Sequence, residues 1–455
     1  MARGDLEVVD LTHVGGQDDG GAEAAARRAG KHVQGPGRPH GSCDELLLPG
    51  LGVAARGEIQ VRMRQACAYS RRVRVLAACS LGGAGHFRPL VPFLDQARRS
   101  GGETLVVGPP ALAGMVGAAG HPFLPGGEPP EEQVRPIREQ LPVVPPDVAS
   151  VLGNRELFGR LAATAMLPAA ERAVRDWRPD VILRDPCEYA SAVAAARLGV
   201  PAAQVAIGLA AVEWASIGVA APALEAHRAG LTGELRRSPY LTRFPAALDP
   251  SPFPVTLRYR EPGAPARGAL PAWWACASAP LVYVSFGTVL GHMSFAEEVY
   301  RAAIDAVTGL DARVLVTTGH GFDASRLRDV PANVHVEAWV DQAGILDEAA
   351  VVVCHGGSGT AYGALAVGVP LVVVPVFADQ FANAAEVVQA GAGIEVRTSQ
   401  DSRERRRPVG RDDAPRIRQA IDTVLADGSY RNAAQAVAAD MAAAPAIAAL
   451  LASPP

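Results

Sequence analysis

The residues best suited to chemistry form a glycine-rich run that directly follows a short apolar segment late in the chain. The segment 351–354 reads as a buried strand, and the next six residues, HGGSGT, read as a turn that opens a helix. Glycines let a backbone approach an oxyanion closely, and the N–H groups and dipole of a helix N-terminus favour negative charge. A tight turn that needs glycine only for steric reasons is the alternative interpretation. The run therefore predicts a cradle for a diphosphate, made by His355, Gly357, Ser358, Gly359 and Thr360.

A second loop is placed to supply the opposite wall of this cradle. Ser285, Gly287 and Thr288 offer two hydroxyl groups and a glycine N–H at the end of the apolar segment 281–285, although an ordinary turn has the same composition. The chain contains no Asp-x-Asp pair, which would be the carboxylate clamp for a Mg²⁺–diphosphate. We therefore expect no metal ion and no cofactor, with amides, hydroxyls and His355 neutralising the diphosphate.

Two series of alternating strands and helices are predicted to position these loops. Strand–helix alternation is typical of parallel sheets covered by helices on both faces, and ligands bind beyond the carboxyl ends of such strands. The predicted fold class is therefore α/β, with two Rossmann-like domains. The predicted strands are 73–78, 105–107, 181–183 and about 204–207 in the first series, and 281–285, 314–318, 334–337, 350–354 and 371–374 in the second.

Composition limits the classes of protein to which this chain can belong. Its 455 residues, 49% of them hydrophobic and 20% charged, suit a globular protein of two domains. A net charge of −4 provides no basic surface for nucleic acid. The six cysteines are scattered without a Cys-x-x-Cys pair, which favours the reducing cytoplasm. The longest apolar stretch, 363–378, contains two prolines, so no membrane helix is predicted.

Changes in composition suggest the domain boundaries. Residues 1–70 are polar and rich in glycine without an apolar period, and we predict a disordered extension there. A stretch rich in Pro, Ala and Gly is predicted to link the two domains. The predicted boundaries are 71–250 for the N-terminal domain, 251–278 for the linker, 279–432 for the C-terminal domain and 433–455 for a C-terminal helix.

A longer pattern around the glycine-rich run resembles the donor-binding signature of the GT-B glycosyltransferases of family 1. It is most similar to bacterial enzymes that glycosylate natural products such as macrolides, aromatic polyketides and enediynes. The resemblance covers about residues 73–450. It implies two Rossmann-like domains that face each other across a cleft, with a C-terminal helix that crosses back to the N-terminal domain. The matching segments are Val340-Asp341-Gln342, HGGSGT at 355–360, Gly368-Val369-Pro370, Phe377-Ala378-Asp379-Gln380 and Asn383-Ala384.

The resemblance also implies a catalytic base in the N-terminal domain. The element Gly-His-x-x-Pro at 85–89 matches that of the family, so His86 resembles the base that deprotonates the acceptor hydroxyl. Asp185 matches the carboxylate that orients this histidine. The chemistry is sound because an imidazole titrates near neutral pH and a carboxylate partner makes it a better base. Without the resemblance, His86 reads as a surface residue, and Asp185, which precedes Pro186, reads as a turn residue.

Further donor contacts follow from the same resemblance. Trp339 and Val340 match the position that brackets the nucleobase, for which an indole offers a flat apolar face; a buried core tryptophan is the alternative. Asp379 and Gln380 match the pair that hydrogen-bonds hydroxyls of the donor sugar. An ordinary helix N-cap is the alternative for Asp379.

One departure from the family pattern bears on the nucleotide. Members that use UDP-glucose carry a glutamate eight residues after the motif histidine, where it binds the ribose hydroxyls; this chain has Gly363 there. Because a deoxyribose lacks the 2′-hydroxyl, the loss is harmless with a thymidine diphosphate donor, and we expect a TDP-deoxysugar.

The expected activity is an inverting, metal-independent transfer of a sugar from a nucleoside diphosphate to a hydroxyl of a hydrophobic aglycone in antibiotic biosynthesis. The aglycone is expected to lie against the stretches 140–165 and 207–223 of the N-terminal domain. A UDP-sugar-dependent transferase and an inactive sugar-nucleotide-binding helper protein are the alternatives. A dinucleotide-dependent oxidoreductase is disfavoured because the residues 82–86 lack the Gly-x-Gly-x-x-Gly spacing after the first strand.

Overall fold

The computed structural model describes residues 72–141, 143–262, 279–397 and 409–452. The predicted extension 1–70 and the segment 263–278 of the predicted linker lie outside the described residues. The described residues form two lobes, each built around one parallel β-sheet.

Seven parallel strands form the sheet of the N-terminal lobe, in the order β3-β2-β1-β4-β5-β6-β7. The strands are β1 (Arg74–Ala78), β2 (Glu103–Gly108), β3 (Phe123–Pro125), β4 (Val181–Arg184), β5 (Ala202–Val205), β6 (Tyr240–Thr242) and β7 (Thr256–Arg258). The helices are α1 (Ala84–Phe87), α2 (Val91–Arg99), α3 (Ala113–Ala118), α4 (Glu131–Gln140), α5 (Pro146–Ser150), α6 (Ala163–Arg172), α7 (Ala190–Leu198), α8 (Ala210–His227) and α9 (Leu231–Arg237). Two π-helical segments, Val151–Ala162 and Ala173–Trp177, flank α6.

Six parallel strands form the sheet of the C-terminal lobe, in the order β10-β9-β8-β11-β12-β13. The strands are β8 (Leu281–Ser285), β9 (Arg313–Thr317), β10 (Val334–Glu337), β11 (Ala349–Cys354), β12 (Leu371–Val373) and β13 (Gly393–Glu395). The helices are α10 (Ala296–Val307), α11 (Gln342–Glu348), α12 (Ser358–Ala366), α13 (Gln380–Gln389), α14 (Ala414–Ala426), α15 (Gly428–Ala443) and α16 (Ile447–Ala452).

The central strands are mostly apolar because apolar clusters cover both faces of each sheet; Arg184 and Ser285 are the polar residues at the carboxyl ends of β4 and β8. Every residue of β8 is buried. Val282 and Val284 belong to one core cluster, whereas Leu281 and Tyr283 belong to another. Since successive side chains of a strand point to opposite faces, a strand covered on both faces is a continuous apolar segment.

Both sheets have the strand order of a doubly wound Rossmann fold, so the predicted α/β class with two Rossmann-like domains is confirmed. The order reverses between β1 and β4 in the first sheet and between β8 and β11 in the second. Ligands bind at such switch points. The four loops for which the sequence predicts the base, its partner and the cradle follow these four strands.

The predicted linker was wrong in its starting point. Residues 256–258 form β7, which pairs with β6 through Tyr240 opposite Thr256 and Thr242 opposite Arg258. The N-terminal lobe therefore extends past residue 251. A three-residue strand among prolines has too little pattern to be recognised from the sequence.

The C-terminal segment that crosses to the N-terminal lobe also begins later than the predicted residue 433. Helix α15 packs on the C-terminal lobe, where Ala434 is buried in the cluster around β11. Only beyond it does Ile447 of α16 enter the core of the N-terminal lobe, in a cluster with Val75, and the N–H of Arg260 donates to the Pro445 carbonyl at 2.9 Å. Among the described residues, no helix has both the length and the apolar character to cross a membrane.

Candidate active site

The predicted base lies next to its predicted partner. Strands β1 and β4 are neighbours, with Ala78 opposite Arg184, so the segments that follow them emerge side by side. His86 lies in α1, and Asp185 directly follows β4. Nδ1 of His86 is 3.3 Å from Oδ1 of Asp185; the Asp185 side chain is fully buried, whereas 17% of the His86 side chain is exposed. Because Nδ1 faces the carboxylate, Nε2 is the nitrogen left for a substrate.

A serine that the sequence analysis missed completes this pair. The Ser80 hydroxyl lies 3.2 Å from Nδ1 of His86 and donates to Asp185 at 2.9 Å. The backbone N–H groups of Ser80 and Cys187 also donate to the Asp185 carboxylate, at 2.7 and 2.8 Å. The carboxylate is thus buried but well supplied with hydrogen bonds, as a buried charge must be. Only its place just beyond β1 could have marked Ser80 in the sequence.

The electrostatics of the pair favour a charged carboxylate beside a basic imidazole. Burial by itself lowers the pKa of His86, but the charge and hydrogen bond of Asp185 and the charge of Asp379 outweigh it and raise the pKa above its usual value. Burial by itself raises the pKa of Asp185, but His86 and Ser80 outweigh it and hold the pKa below its usual value. Asp185 therefore stays ionised, which stabilises the protonated form of His86.

A buried arginine holds the loop that carries Asp185. Arg184 is 1% exposed, and its guanidinium donates to the carbonyls of Asp185, Pro186 and Glu188 at 3.0–3.2 Å and to the Gln204 side chain at 2.7 Å. Three carbonyls of one turn are thus satisfied by one side chain, which keeps the turn in place.

The imidazole of the cradle histidine is wedged between two of the predicted glycines. A Cβ atom added at Gly287 would lie 2.8 Å from Nε2 of His355, and one added at Gly357 would lie 2.6 Å from its Cε1. A third glycine, Gly356, has a φ of +85°, and a Cβ there would meet the Gln380 carbonyl at 2.9 Å. Glycine is therefore required at these positions by the close packing of the turn around His355.

His355 is a neutral residue in this environment. Burial lowers the pKa of its imidazole to about 4, although a hydrogen bond to the Ser285 backbone acts in the opposite direction. Its Nδ1 atom is buried and has no hydrogen-bond partner among the described residues. Since buried polar atoms are nearly always paired, this orphaned nitrogen fits a turn that binds a ligand.

The other predicted cradle residues differ in accessibility. Ser358 and Thr360 are buried in the first turn of α12, whereas Gly359 between them is exposed. Ser285, the last residue of β8, is buried, and Thr288, in the loop after it, is exposed. Gly359 is therefore the exposed residue of the first helical turn, and of the four hydroxyl-bearing residues of the cradle only Thr288 is exposed.

The pair predicted to hold the donor sugar divides into two different environments. Oδ2 of Asp379 accepts from the Ser358 hydroxyl at 3.4 Å, and burial raises the pKa of this carboxyl despite that hydrogen bond. Although Asp379 occupies the N-cap position of α13, its side chain makes no capping hydrogen bond. The carbonyl oxygen of the buried Gln380 side chain instead accepts from the N–H groups of Val376 and Phe377, at 2.8 and 3.0 Å.

A fully buried asparagine joins the cradle to Asp379, which is predicted to contact the donor sugar. Asn383 donates to the Gly356 carbonyl at 2.8 Å, to Oδ2 of Asp379 at 3.0 Å and to the Ser358 hydroxyl at 3.3 Å. The Tyr362 hydroxyl donates to the other end of the amide at 3.0 Å, which fixes its orientation. Asn383 belongs to the segment that resembles the family signature, but its contacts could not be read from the sequence.

The two lobes meet at this point. A Cβ atom added at Gly208, in the loop after β5 of the N-terminal lobe, would lie 3.4 Å from Oδ2 of Asp379 and 3.7 Å from the Ser358 hydroxyl. The Arg243 guanidinium, also from the N-terminal lobe, donates to the Ser358 carbonyl at 3.4 Å. Together with the charge of Asp379 acting on His86, these contacts place the base and the cradle on one cleft.

Comparison with known proteins shows the family of this chain. The model for the N-terminal domain of erythromycin biosynthesis protein CIII-like proteins matches residues 96–252, and that for their C-terminal domain matches residues 301–452. The chain belongs to this family. It is a glycosyltransferase, as are its named relatives.

Two relatives with named activities come from species of Streptomyces. This glycosyltransferase is 30% identical to the L-demethylnoviosyl transferase of Streptomyces niveus over 79% of its own chain and 91% of that protein. It is 34% identical to the elloramycin glycosyltransferase ElmGT of Streptomyces olivaceus over 71% of its own chain and 86% of that protein. Among solved structures, spinosyn rhamnosyltransferase SpnG complexed with thymidine diphosphate has a TM-score of 0.66 at 26% identity and covers 84% of this chain and 98% of that chain.

The tryptophan predicted to bracket the nucleobase lies at the surface of this glycosyltransferase. Trp339 is 51% exposed, so the alternative of a buried core tryptophan was wrong. The following residue, Val340, packs against the core of the C-terminal lobe, and Asp341 caps α11 by accepting from the N–H of Ala343. The Trp339 indole is therefore exposed to solvent next to a turn that Val340 and Asp341 hold in place.

The two stretches expected to contact the aglycone differ in where their aromatic side chains lie. The ring of Phe158, in the π-helical segment before α6, has its centroid 6.0 Å from that of His86, so the stretch 140–165 does reach the base. Trp214, in the stretch 207–223, packs edge-on against Phe253 and lies under the Arg236 guanidinium. That indole is a packing residue of the N-terminal lobe.

Proposed function

We propose that this glycosyltransferase moves a sugar from a TDP-linked donor to a hydroxyl of a hydrophobic aglycone, with inversion at the anomeric carbon. The observation that carries the proposal is the common cleft, where the His86–Asp185 pair faces Asp379 and the turn around His355. Phe158 supplies an aromatic surface next to the base for the aglycone. The donor diphosphate binds at the N-terminus of α12 through His355, Ser358, Gly359 and Thr360, beside Ser285, Gly287 and Thr288.

The mechanism is a single displacement. Nε2 of His86 accepts the proton of the acceptor hydroxyl, and the acceptor oxygen forms a bond to the anomeric carbon. The bond between that carbon and the diphosphate oxygen breaks, and the diphosphate takes the electron pair. N–H groups that are already oriented stabilise the charge as it develops. Because His355 is neutral, the helix N-terminus replaces a metal ion at the diphosphate. One displacement converts an α-linked donor into a β-glycoside.

Replacement of Asp185 by asparagine is expected to shift the acid limb of the pH–rate profile to lower pH. The base works in its neutral form, so the rate of the unaltered enzyme falls as the pH drops through the raised pKa of His86. Without the carboxylate charge, burial lowers that pKa, and the maximal rate falls by at least about tenfold because the base is weaker and less well oriented. Asp176→Asn, on an exposed aspartate, serves as the control. An unchanged acid limb in Asp185→Asn contradicts the pairing.

A preference for TDP-sugars over UDP-sugars is expected. Gly363, in α12, offers no carboxylate to a ribose 2′-hydroxyl, and a Cβ atom added there would already lie 3.3 Å from the Leu346 side chain. SpnG, a similar protein, has been solved with thymidine diphosphate. Competition of TDP- and UDP-glucose in one reaction, followed by mass spectrometry, measures the ratio of kcat/KM. A ratio that favours UDP-glucose would end this part of the proposal.

The overall function is tested with a panel of hydrophobic hydroxylated acceptors and TDP-hexoses. Mass spectrometry detects the product, and the coupling constant of the anomeric proton reports its configuration. A β-glycoside from an α-linked TDP-sugar supports the single displacement. An α-glycoside would refute it.

A further inference from the structure

An acidic residue of the N-terminal lobe, outside the predicted base and cradle, is buried at the cleft. Glu213 lies in the first turn of α8 and is 5% exposed. Its Oε1 atom accepts from the backbone N–H groups of Ile207 and Gly208, at 2.9 and 2.6 Å. These two residues follow β5, at the edge of the sheet where ligands bind.

The segment 206–209 is held by side chains once it leaves the sheet at Ala206, whose N–H still donates to the Leu241 carbonyl of β6 at 2.8 Å. In addition to Glu213, the Tyr240 hydroxyl donates to the Gly208 carbonyl at 3.3 Å. The Asp249 carboxylate accepts from the N–H of Ala210 at 3.0 Å, just beyond the segment. Of these contacts, Glu213 alone binds two consecutive N–H groups, so it contributes most to the position of Gly208.

Gly208 is the point at which this segment touches the donor side of the cleft. One point, the position of a Cβ atom at Gly208, lies 3.6 Å from Oε1 of Glu213, 3.4 Å from Oδ2 of Asp379 and 3.7 Å from the Ser358 hydroxyl. Glu213 therefore holds a backbone wall directly against the corner where the donor sugar is proposed to bind.

We propose that Glu213 is a positioning residue for sugar transfer, which holds Gly208 against the corner formed by Asp379 and Ser358. The inference rests on the proposed function, in which Asp379 contacts the donor sugar. By fixing this wall, Glu213 fixes the distance between the acceptor side of the cleft and the anomeric carbon. A small misplacement of reacting groups lowers the rate strongly.

The state of the carboxyl group indicates which substitution preserves its role. Burial raises the pKa of Glu213 to about 8, although the nearby Tyr240 hydroxyl and the hydrogen bonds from the N–H groups of Ile207 and Gly208 oppose this. An uncharged side chain of the same length, with one oxygen to accept both N–H groups, is therefore the closest substitute. Glutamine meets that description, and aspartate and alanine do not.

The same helix carries a matched control. Glu225, near the end of α8, also accepts two backbone N–H groups with its carboxylate, from Gly230 at 2.6 Å and Thr232 at 3.0 Å. It serves an exposed loop. Glu225→Ala thus removes the same kind of contact from the same helix without touching the segment 206–209.

The experiment compares Glu213→Ala, Glu213→Asp, Glu213→Gln and Glu225→Ala in the full chain. For each variant, kcat, KM for the TDP-sugar donor, Kd for TDP and Tm are measured. We expect kcat/KM for transfer to fall about 10- to 100-fold in Glu213→Ala. The Kd for TDP should stay within about twofold, because the cradle lies on the other lobe. Glu213→Gln should restore the rate, Glu213→Asp should lie between, and Glu225→Ala should leave kcat and KM unchanged. Hydrogen exchange at Ile207 and Gly208, which needs no substrate, should be faster in Glu213→Ala only.

Three results would overturn the proposal: normal kinetics in Glu213→Ala, a glutamine variant as slow as the alanine variant, or unchanged exchange at Ile207 and Gly208. If Glu213→Ala does not fold, the other two variants still test the proposal, because Glu213→Gln is expected to be faster than Glu213→Asp. His86→Ala measured in parallel separates the two proposals. If His86→Ala retains its rate, the proposed function fails. If His86→Ala loses its rate but the Glu213 variants all transfer sugar at the normal rate, only the positioning role fails.

Discussion

Replacement of His86 by alanine is expected to reduce kcat for sugar transfer by about 10²–10⁴-fold, the contribution of a positioned general base. His86 is the imidazole whose Nδ1 faces the buried Asp185 at 3.3 Å, and the ring centroid of Phe158 lies 6.0 Å from its own. Without it, the acceptor hydroxyl must lose its proton to water. Steady-state kinetics with one acceptor and one TDP-sugar measure the loss.

Donor binding provides the internal control for this variant. The cradle lies on the C-terminal lobe, so the Kd for TDP, measured by calorimetry, should be close to that of the unaltered enzyme. Added imidazole should restore part of the lost rate, because a base in solution can occupy the space of the missing ring. Near-normal turnover by His86→Ala would show that another group acts as the base.

Replacement of Gly357 by alanine is expected to weaken the binding of TDP by about 10- to 100-fold, as for the loss of one hydrogen bond to a charged group. The new Cβ atom would lie 2.6 Å from Cε1 of His355 and would displace the imidazole from its place at the turn. The backbone of Gly357, with φ −63° and ψ 136°, suits alanine, so the effect comes from the displaced ring and not from backbone strain.

A glycine elsewhere in the same lobe gives the matched comparison. Gly428 is exposed at the start of α15, and a Cβ atom added there meets nothing within 4 Å. Gly428→Ala should bind TDP normally and keep its Tm. If Gly357→Ala binds TDP as tightly as Gly428→Ala does, then His355 makes no contact with the diphosphate.

The functional loops could be predicted because local sequence determines the strands that precede them. A central strand covered on both faces is a nearly continuous apolar run, and the predicted segment 281–285 coincides with β8. The predicted segment 334–337 coincides with β10, an edge strand in which apolar and polar residues alternate. Four of the five three-residue strands that the structure describes, β3, β6, β7 and β13, were missed because so short a segment carries no recognisable period. The fifth, β12, was predicted because it belongs to the continuous apolar run 371–374.

The residue types of the base and the cradle could also be read from the chain. The glycines of the cradle are a chemical requirement expressed within a few residues, whereas His86 and Asp185, far apart in the chain, were paired only through the resemblance to the family. Whether the predicted residues share a cleft is a different question. The side chain of Gln380, matched to a sugar-binding position, accepts from the N–H of Val376 through its oxygen, and nothing in the sequence indicates this contact.

The sequence by itself determined the fold class, the positions along the chain of the strands that carry the site, and the histidine and glycine motifs. All of these depend on short-range pattern and composition. The tertiary structure alone decided which side chains support them. Ser80 and Asp185 are 105 positions apart in the chain, and Gly208 reaches Asp379 only where the two lobes meet. Such contacts depend on how whole lobes pack, and packing is a property of the folded chain that no local pattern specifies.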